Sequence, residues 1–239
     1  MMKKTVLVCL LALFVTQDAW SQNEVDAQGK KQGKWSKEYP WGVTRYTGQF
    51  KNDLEIGTFR FFDKNGKLVS ERTYLSPGGK AEVRMYNISE VLHASGMMIG
   101  KKKIGEWLYY GKDDAIVSRE FYIDGKKDGE EIAYYENGKE AEKLIWKNGK
   151  REGEWKQFFE DGSLNLLAFY KNNMLEGKVN YYYSNGEKKT TGQFIKGLKN
   201  GKWTYWLTGE ILEKEEEYDN DELVKQTIHQ TAELLNKKE

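Results

Sequence analysis

The sequence predicts an all-β protein: an elongated, single-layer antiparallel meander of eight 24-residue β-hairpin repeats, closed by a short C-terminal capping helix. Three observations carry this expectation. Gly33, Gly57, Gly105, Gly129, Gly153, Gly177 and Gly201 stand at multiples of 24 residues. Turn dipeptides recur at the ninth and tenth positions of the period, as in Asn65-Gly66, Asn137-Gly138, Asp161-Gly162 and Asn185-Gly186. Aromatic residues fall in rows at fixed places between those turns. Asn-Gly or Asp-Gly between short aromatic or β-branched runs is a strong hairpin signal, because the glycine supplies the positive φ of the turn.

Taken in order, residues 1–21 read as a signal peptide. Lys3 and Lys4 precede an apolar run from Val6 to Val15, and Ala19-Trp20-Ser21 gives the small-x-small pattern of a cleavage site. The run is too short to span a bilayer, which needs about 20 apolar residues. Cys9 follows Val8 and not a small residue, so lipid anchoring is not expected. The mature chain is expected to be exported, to the periplasm or the exterior. Residues 22–32 read as a linker.

Residues 33–224 hold the eight copies, starting at 33, 57, 81, 105, 129, 153, 177 and 201. The copy at Ala81 is degenerate, with Val83 and Met98 at usual aromatic places and no turn dipeptide. Residues 225–239 read as the helix. Val224, Ile228, Thr231 and Leu235 fall at helical spacing after Asp219-Asn220-Asp221, a start signal, and the helix would cover the open edge of the last strand.

Three rows matter within a copy. The third position includes Trp35, Trp107, Trp155 and Trp203; the sixth includes Phe62, Tyr110, Tyr134, Phe158 and Tyr182; the eighteenth includes Tyr74, Tyr122, Trp146, Tyr170 and Phe194. Because strand side chains alternate between faces, the turn length decides which rows share a face. A two-residue loop puts the third and eighteenth together. A three-residue loop with a glycine bulge puts the sixth and eighteenth together, and this is the expectation preferred here, since it packs the two most regular rows. The third-row tryptophans then line the opposite face as candidate partner-binding residues, unless lysine stems and neighbouring strands cover them.

Composition narrows the function classes. Aromatic residues make up 14% of the chain, too many for disorder, while the mean hydropathy of −0.80 is low for a thick core. Taking away residues 1–21 removes two lysines and one aspartate from 38 basic and 37 acidic side chains, leaving 36 of each. A neutral chain argues against nucleic acid as a partner. The one cysteine is Cys9, so thiolate chemistry and disulfides are excluded from the mature protein.

The pattern G-x-W-x-x-[YF], then [DN]-G, then [YFW]-x-x-G resembles the MORN repeat, and most of all its bacterial variant, the YwqK-type antitoxin repeat. The segment Gly153 to Glu176, GEWKQFFEDGSLNLLAFYKNNMLE, is a good copy, and the eight copies cover about four fifths of the chain. The resemblance implies an elongated sheet of hairpins and a role in binding proteins or membrane lipids. Chemistry in such families belongs to a separate catalytic domain.

No catalytic, metal or cofactor site is expected. His93 and His229 are the only histidines, and no thiolate joins them. The glycines read as turn residues, since none separates a strand from a helix N-terminus. Lys101-Lys102-Lys103 reads as a turn between copies. The function expected is non-catalytic binding of a protein or peptide. The alternatives are a glycan or lipid head group taken by the aromatic rows, and neutralisation of a toxin protein.

Overall fold

The structure is a computed structural model that describes residues 22–229; the segment read as a signal peptide and residues 230–239 lie outside the described residues. It is one open antiparallel sheet of twenty strands, each paired with its sequence neighbours. Two of the twenty, Met174–Leu175 and Leu198–Lys199, are leading ends of strands that resume at Gly177–Tyr182 and Gly201–Leu207. Residues 22–32 form a small hairpin in which Glu24 and Val25 pair with Gln32 and Lys31.

The inner turn of each copy spans three residues, as the sequence suggests. In the Gly129 copy, Tyr135 N–H bonds Lys139 O at 2.9 Å, Gly138 N–H bonds Tyr135 O at 2.9 Å, and Gly138 has φ 80°. The face assignment is nevertheless the reverse of the one preferred above. A second irregularity follows the turn: Tyr134 pairs with Glu140, but Ala133 pairs with Glu142, so Ala141 is an extra residue. The same skip recurs in all eight copies, at Arg45, Val69, His93, Val117, Ala141, Asn165, Lys189 and Glu213. One extra residue on one strand is a β-bulge, and it flips side-chain parity. The third and eighteenth rows therefore share the packed face, and the sixth row lies on the other.

Outer turns, between copies, are two residues long. Asp124 and Gly125, with φ 50° and 82°, have the left-handed pair of angles of a type I′ turn. Beyond each turn one strand carries two extra residues around the repeat glycine: Tyr122 pairs with Lys127, while Glu120 pairs with Glu131 across Gly129. An even excess leaves parity unchanged, so every copy presents the same face. The repeat glycines are thus bulge residues inside strands, where the turn reading of the sequence does not hold. Gly105 has φ 62°, a conformation that costs a side-chain-bearing residue roughly 1 kcal/mol or more.

The degenerate copy shows the rule by exception. Ala81 has no positive φ, and Ser70–Tyr74 pairs with Ala81–Met85 without a shift. Its two extra residues sit in the turn instead: Leu75 N–H bonds Lys80 O across the four residues from Ser76 to Gly79. The period survives because the insertion has moved.

The expected capping helix is not there. Glu222–Ile228 is a strand paired with Ile211–Asp219, and Val224 and Ile228, half of the proposed helical stripe, are exposed on it. Thr231 and Leu235 lie outside the described residues. The alternation of the repeat simply continues past Val224: Lys225 and Thr227 stand where a further copy would have its first and third residues, and pairing to the preceding strand outweighs the helical spacing. Among the described residues, the one helical turn is the 3-10 turn Lys112–Asp114.

Candidate functional site

The packed face is built from rings. Within one copy the third and eighteenth residues meet edge to face: Trp35 with Phe50 at 5.7 Å, Phe59 with Tyr74 at 5.6 Å, Trp107 with Tyr122 at 6.5 Å and Trp203 with Tyr218 at 6.3 Å. Such geometry suits the ring quadrupoles. The third-row ring also lies over the sixteenth residue of the preceding copy, which is glycine at Gly48, Gly96 and Gly192; a Cβ on Gly96 would stand 2.5 Å from the Trp107 ring. Lysines just ahead of the repeat glycine close the stack from above. Lys31 Nζ sits 5.0 Å from Trp35, Lys103 Nζ 4.2 Å from Trp107, and Lys199 Nζ 4.5 Å from Trp203.

These contacts correct the partner-binding assignment of the third row. Trp107 is 0% exposed and Trp203 2% exposed, while Trp35 and Trp155 are half-buried. The row is a core, covered by the lysine stems and strands that the sequence offered as the alternative. The eighteenth-row residues Tyr74, Tyr122, Trp146, Tyr170 and Phe194 are half-buried beside it.

Two copies carry one constellation 96 residues apart: Lys103, Trp107, Tyr109, Glu120 and Tyr122, and Lys199, Trp203, Tyr205, Glu216 and Tyr218. In each, the glutamate is the cross-strand partner of the tryptophan and is nearly buried. Glu120 accepts from Tyr122 Oη at 2.5 Å and pairs with Lys127 Nζ at 2.7 Å; Lys127 also reaches Glu131 at 2.9 Å. Glu216 accepts from Tyr218 at 2.9 Å, Gln226 at 2.9 Å and Lys214 at 2.7 Å. Burial opposes ionisation of both carboxyls, but these donors outweigh it and hold each below the usual range, Glu216 at about 2. Burial, then the Glu120 carboxylate, pushes the Tyr122 phenol up to about 12. Burial lowers the Lys103 ammonium. Each carboxylate is neutralised by a lysine of its own, Glu120 by Lys127 and Glu216 by Lys214, and the networks serve to satisfy buried polar groups.

The outer face is polar and striped. Arg60 pairs with Glu71 at 2.8 Å and Lys143 with Glu130 at 2.7 Å, contacts worth about 0–1 kcal/mol each where exposed. The sixth row, Phe62, Tyr110, Tyr134, Phe158 and Tyr182, runs half-buried along this face. Tyr86 and Tyr110 tie it to the preceding copy through Glu71 and Ser95, both at 2.8 Å. A hollow of about 690 Å³ interrupts the stripes beside the 3-10 turn, walled by Leu108, Ile116, Tyr134 and Tyr135 and rimmed by Glu106, Asp114, Glu136 and Arg119. Ile116 and the neighbouring Val117 are exposed there. Sequence reasoning missed Leu108 and Ile116 because the fourth position is mixed across the copies and the twelfth, mostly aliphatic, was not among the aromatic rows it followed. The Asp113-Asp114 turn, with both residues at positive φ where other copies have Asn-Gly, marks the place.

The sequence model of the family described as MORN repeat variant matches residues 55–75, 127–148 and 151–172. Three segments of the array thus match the MORN repeat variant. Each MORN-variant match begins in the outer turn or the bulge strand that follows it and takes in the repeat glycine and the third-to-eighteenth pairing described above. No curated protein matches the chain. A crystal structure of a protein of unknown function from Bacteroides fragilis NCTC 9343 is similar at 10% identity, over 86% of this chain and 97% of that one, with a TM-score of 0.12.

Proposed function

We propose that this MORN-variant chain is an exported, non-catalytic scaffold whose outer face binds a protein partner. The hollow around Tyr134 and Ile116 carries this reading. It joins the exposed aliphatic Ile116 to the half-buried sixth aromatic row, and aromatic anchors in a central hollow are what concentrate binding energy at interfaces. Its rim bears Glu106, Asp114 and Glu136 against Arg119, which favours an apolar anchor flanked by basic residues. The packed face offers a partner much less, since its tryptophans are spent on cross-strand contacts.

The test is capture by the mature chain of a partner from native envelope proteins, repeated with Tyr134→Asp and Ile116→Asp. Loss of the captured band in both variants, with melting curves like the parent, is the expected result. Capture unchanged by both substitutions would remove the outer hollow from the account. Retention of the mature chain in the cytosolic fraction would remove export.

A further inference from the structure

On the packed face, between the Gly177 and Gly201 copies, an open cavity of about 270 Å³ is lined by Asn165, Tyr181, Lys189, Thr190, Phe194, Lys199, Trp203 and Tyr205. It has three properties that its counterpart 96 residues earlier lacks. Trp203 has no acceptor for its buried Nε1–H, whereas Trp107 donates to Met97 O at 3.0 Å, Trp35 to Gln32 O at 3.0 Å and Trp155 to Glu142 at 2.7 Å. The carbonyl equivalent to that of Met97, on Gln193, accepts instead from Asn200 N–H at 3.1 Å. Lys189 stands at the bulge position, where the counterpart has His93, so two lysines flank the cavity. Neither ammonium has a carboxylate within ion-pair distance among the described residues; Lys189 Nζ lies 5.5 Å from the Tyr183 ring and Lys199 Nζ 4.5 Å from the Trp203 ring.

We propose that this cavity binds a single carboxylated sugar ring, of the hexuronate class. The chemistry of the lining selects it. Two uncompensated ammoniums at the margin call for one negative charge. Ring faces of Tyr181, Phe194 and Tyr205 suit the C–H face of a pyranose, and the Asn165 amide, the Thr190 hydroxyl and the Trp203 indole supply donors or acceptors for its hydroxyls. The volume is just under the roughly 300–1,000 Å³ of small-molecule pockets, room for one ring and not for a peptide segment. This site lies on the face opposite the protein-binding hollow and stands independently of it.

Calorimetric titration of the mature chain with glucuronate tests the proposal, with glucose and benzoate as probes that lack the charge or the hydroxyls. Binding of glucuronate is expected to exceed that of both controls by about tenfold or more, a difference of about 1.4 kcal/mol. Lys189→Gln, at an exposed side chain that leaves the packing untouched, is expected to weaken it by a similar factor, and Lys189→Arg to restore most of it. Methyl glucuronide distinguishes the source: unchanged affinity assigns the end of a polysaccharide, and lost affinity assigns the free acid. Equal binding of glucose or benzoate, no detectable glucuronate binding, or binding indifferent to Lys189→Gln would overturn the proposal.

Discussion

The Gly105 and Gly201 copies share a lysine, a tryptophan, two tyrosines and a glutamate at equivalent positions, and they differ in how completely these close on one another. Around Trp107, Val83 and Ala94 are buried, the indole N–H is satisfied, and Lys103 bonds the Tyr109 hydroxyl at 2.7 Å. Around Trp203 the indole N–H is left over, and a cavity opens beside Tyr181 and Phe194. The difference teaches that the packed constellation is set by the repeat, while the residues beside it, such as Ala94 in one copy and Thr190 in the other, change how completely it closes. Ala94 packs in the cluster around Trp107, whereas Tyr181, Lys189 and Thr190 line the cavity beside Trp203.

The largest effect should come from the tryptophans themselves. Trp107→Ala should cost about 3–5 kcal/mol, the range for truncating a buried aromatic. Trp203→Ala should cost about 1 kcal/mol less, because no hydrogen bond is broken and the cavity already exists. Denaturant melts of both variants measure the gap, and a larger loss at Trp203 would break the comparison.

The glycines beneath the rings give the next effect. Gly96→Ala forces a Cβ into the Trp107 ring and should cost about 1–3 kcal/mol, as overpacking does. Gly192→Ala meets the Trp203 ring in the same way, but that ring has space to move into, so the cost should be distinctly smaller. Thermal melts of the pair decide it; equal losses would mean that the cavity does not relieve strain.

How much of this was legible in the sequence follows from parity. The period, the copy boundaries by glycine spacing, the three-residue inner turn and the antiparallel meander all rest on turn chemistry, which Asn-Gly and Asp-Gly announce. The face assignment was not legible. The second bulge falls at residues as unlike as Arg45, Val117 and Glu213, with no shared side chain to betray it, and a single extra residue reverses every row that follows. The capping helix failed for a related reason: Val224 and Ile228 fit a helical spacing and a strand continuation equally, and the open edge of Ile211–Asp219 settled the matter. The outer hollow was invisible because it arises where Leu108, at a position that is mixed across the copies, meets Ile116 beside the unusual Asp113-Asp114 turn.

Acidification should separate the two glutamates. Glu216 is held at about 2, below the ordinary value near 4.3, so its stabilisation is complete above about pH 4.3 and is lost as the pH falls toward about 2. Glu216→Gln should flatten the dependence of the urea midpoint on pH within that window. A dependence as steep as the parent's would assign the acid sensitivity elsewhere. A smaller effect is expected on the outer face: Tyr134→Ala should cost about 1 kcal/mol, since the ring is half-buried and makes no ring stack. A Tyr134→Ala loss matching that of Trp107→Ala, in the same melts, would place the core on both faces.

Nuclear Overhauser contacts to the Tyr122 ring test the central claim, that a second bulge brings the third and eighteenth rows together. The account predicts cross-peaks from the Trp107 indole and the Tyr109 ring to Tyr122, and none from Tyr110. Cross-peaks from Tyr110 to Tyr122, with Trp107 silent, would contradict it.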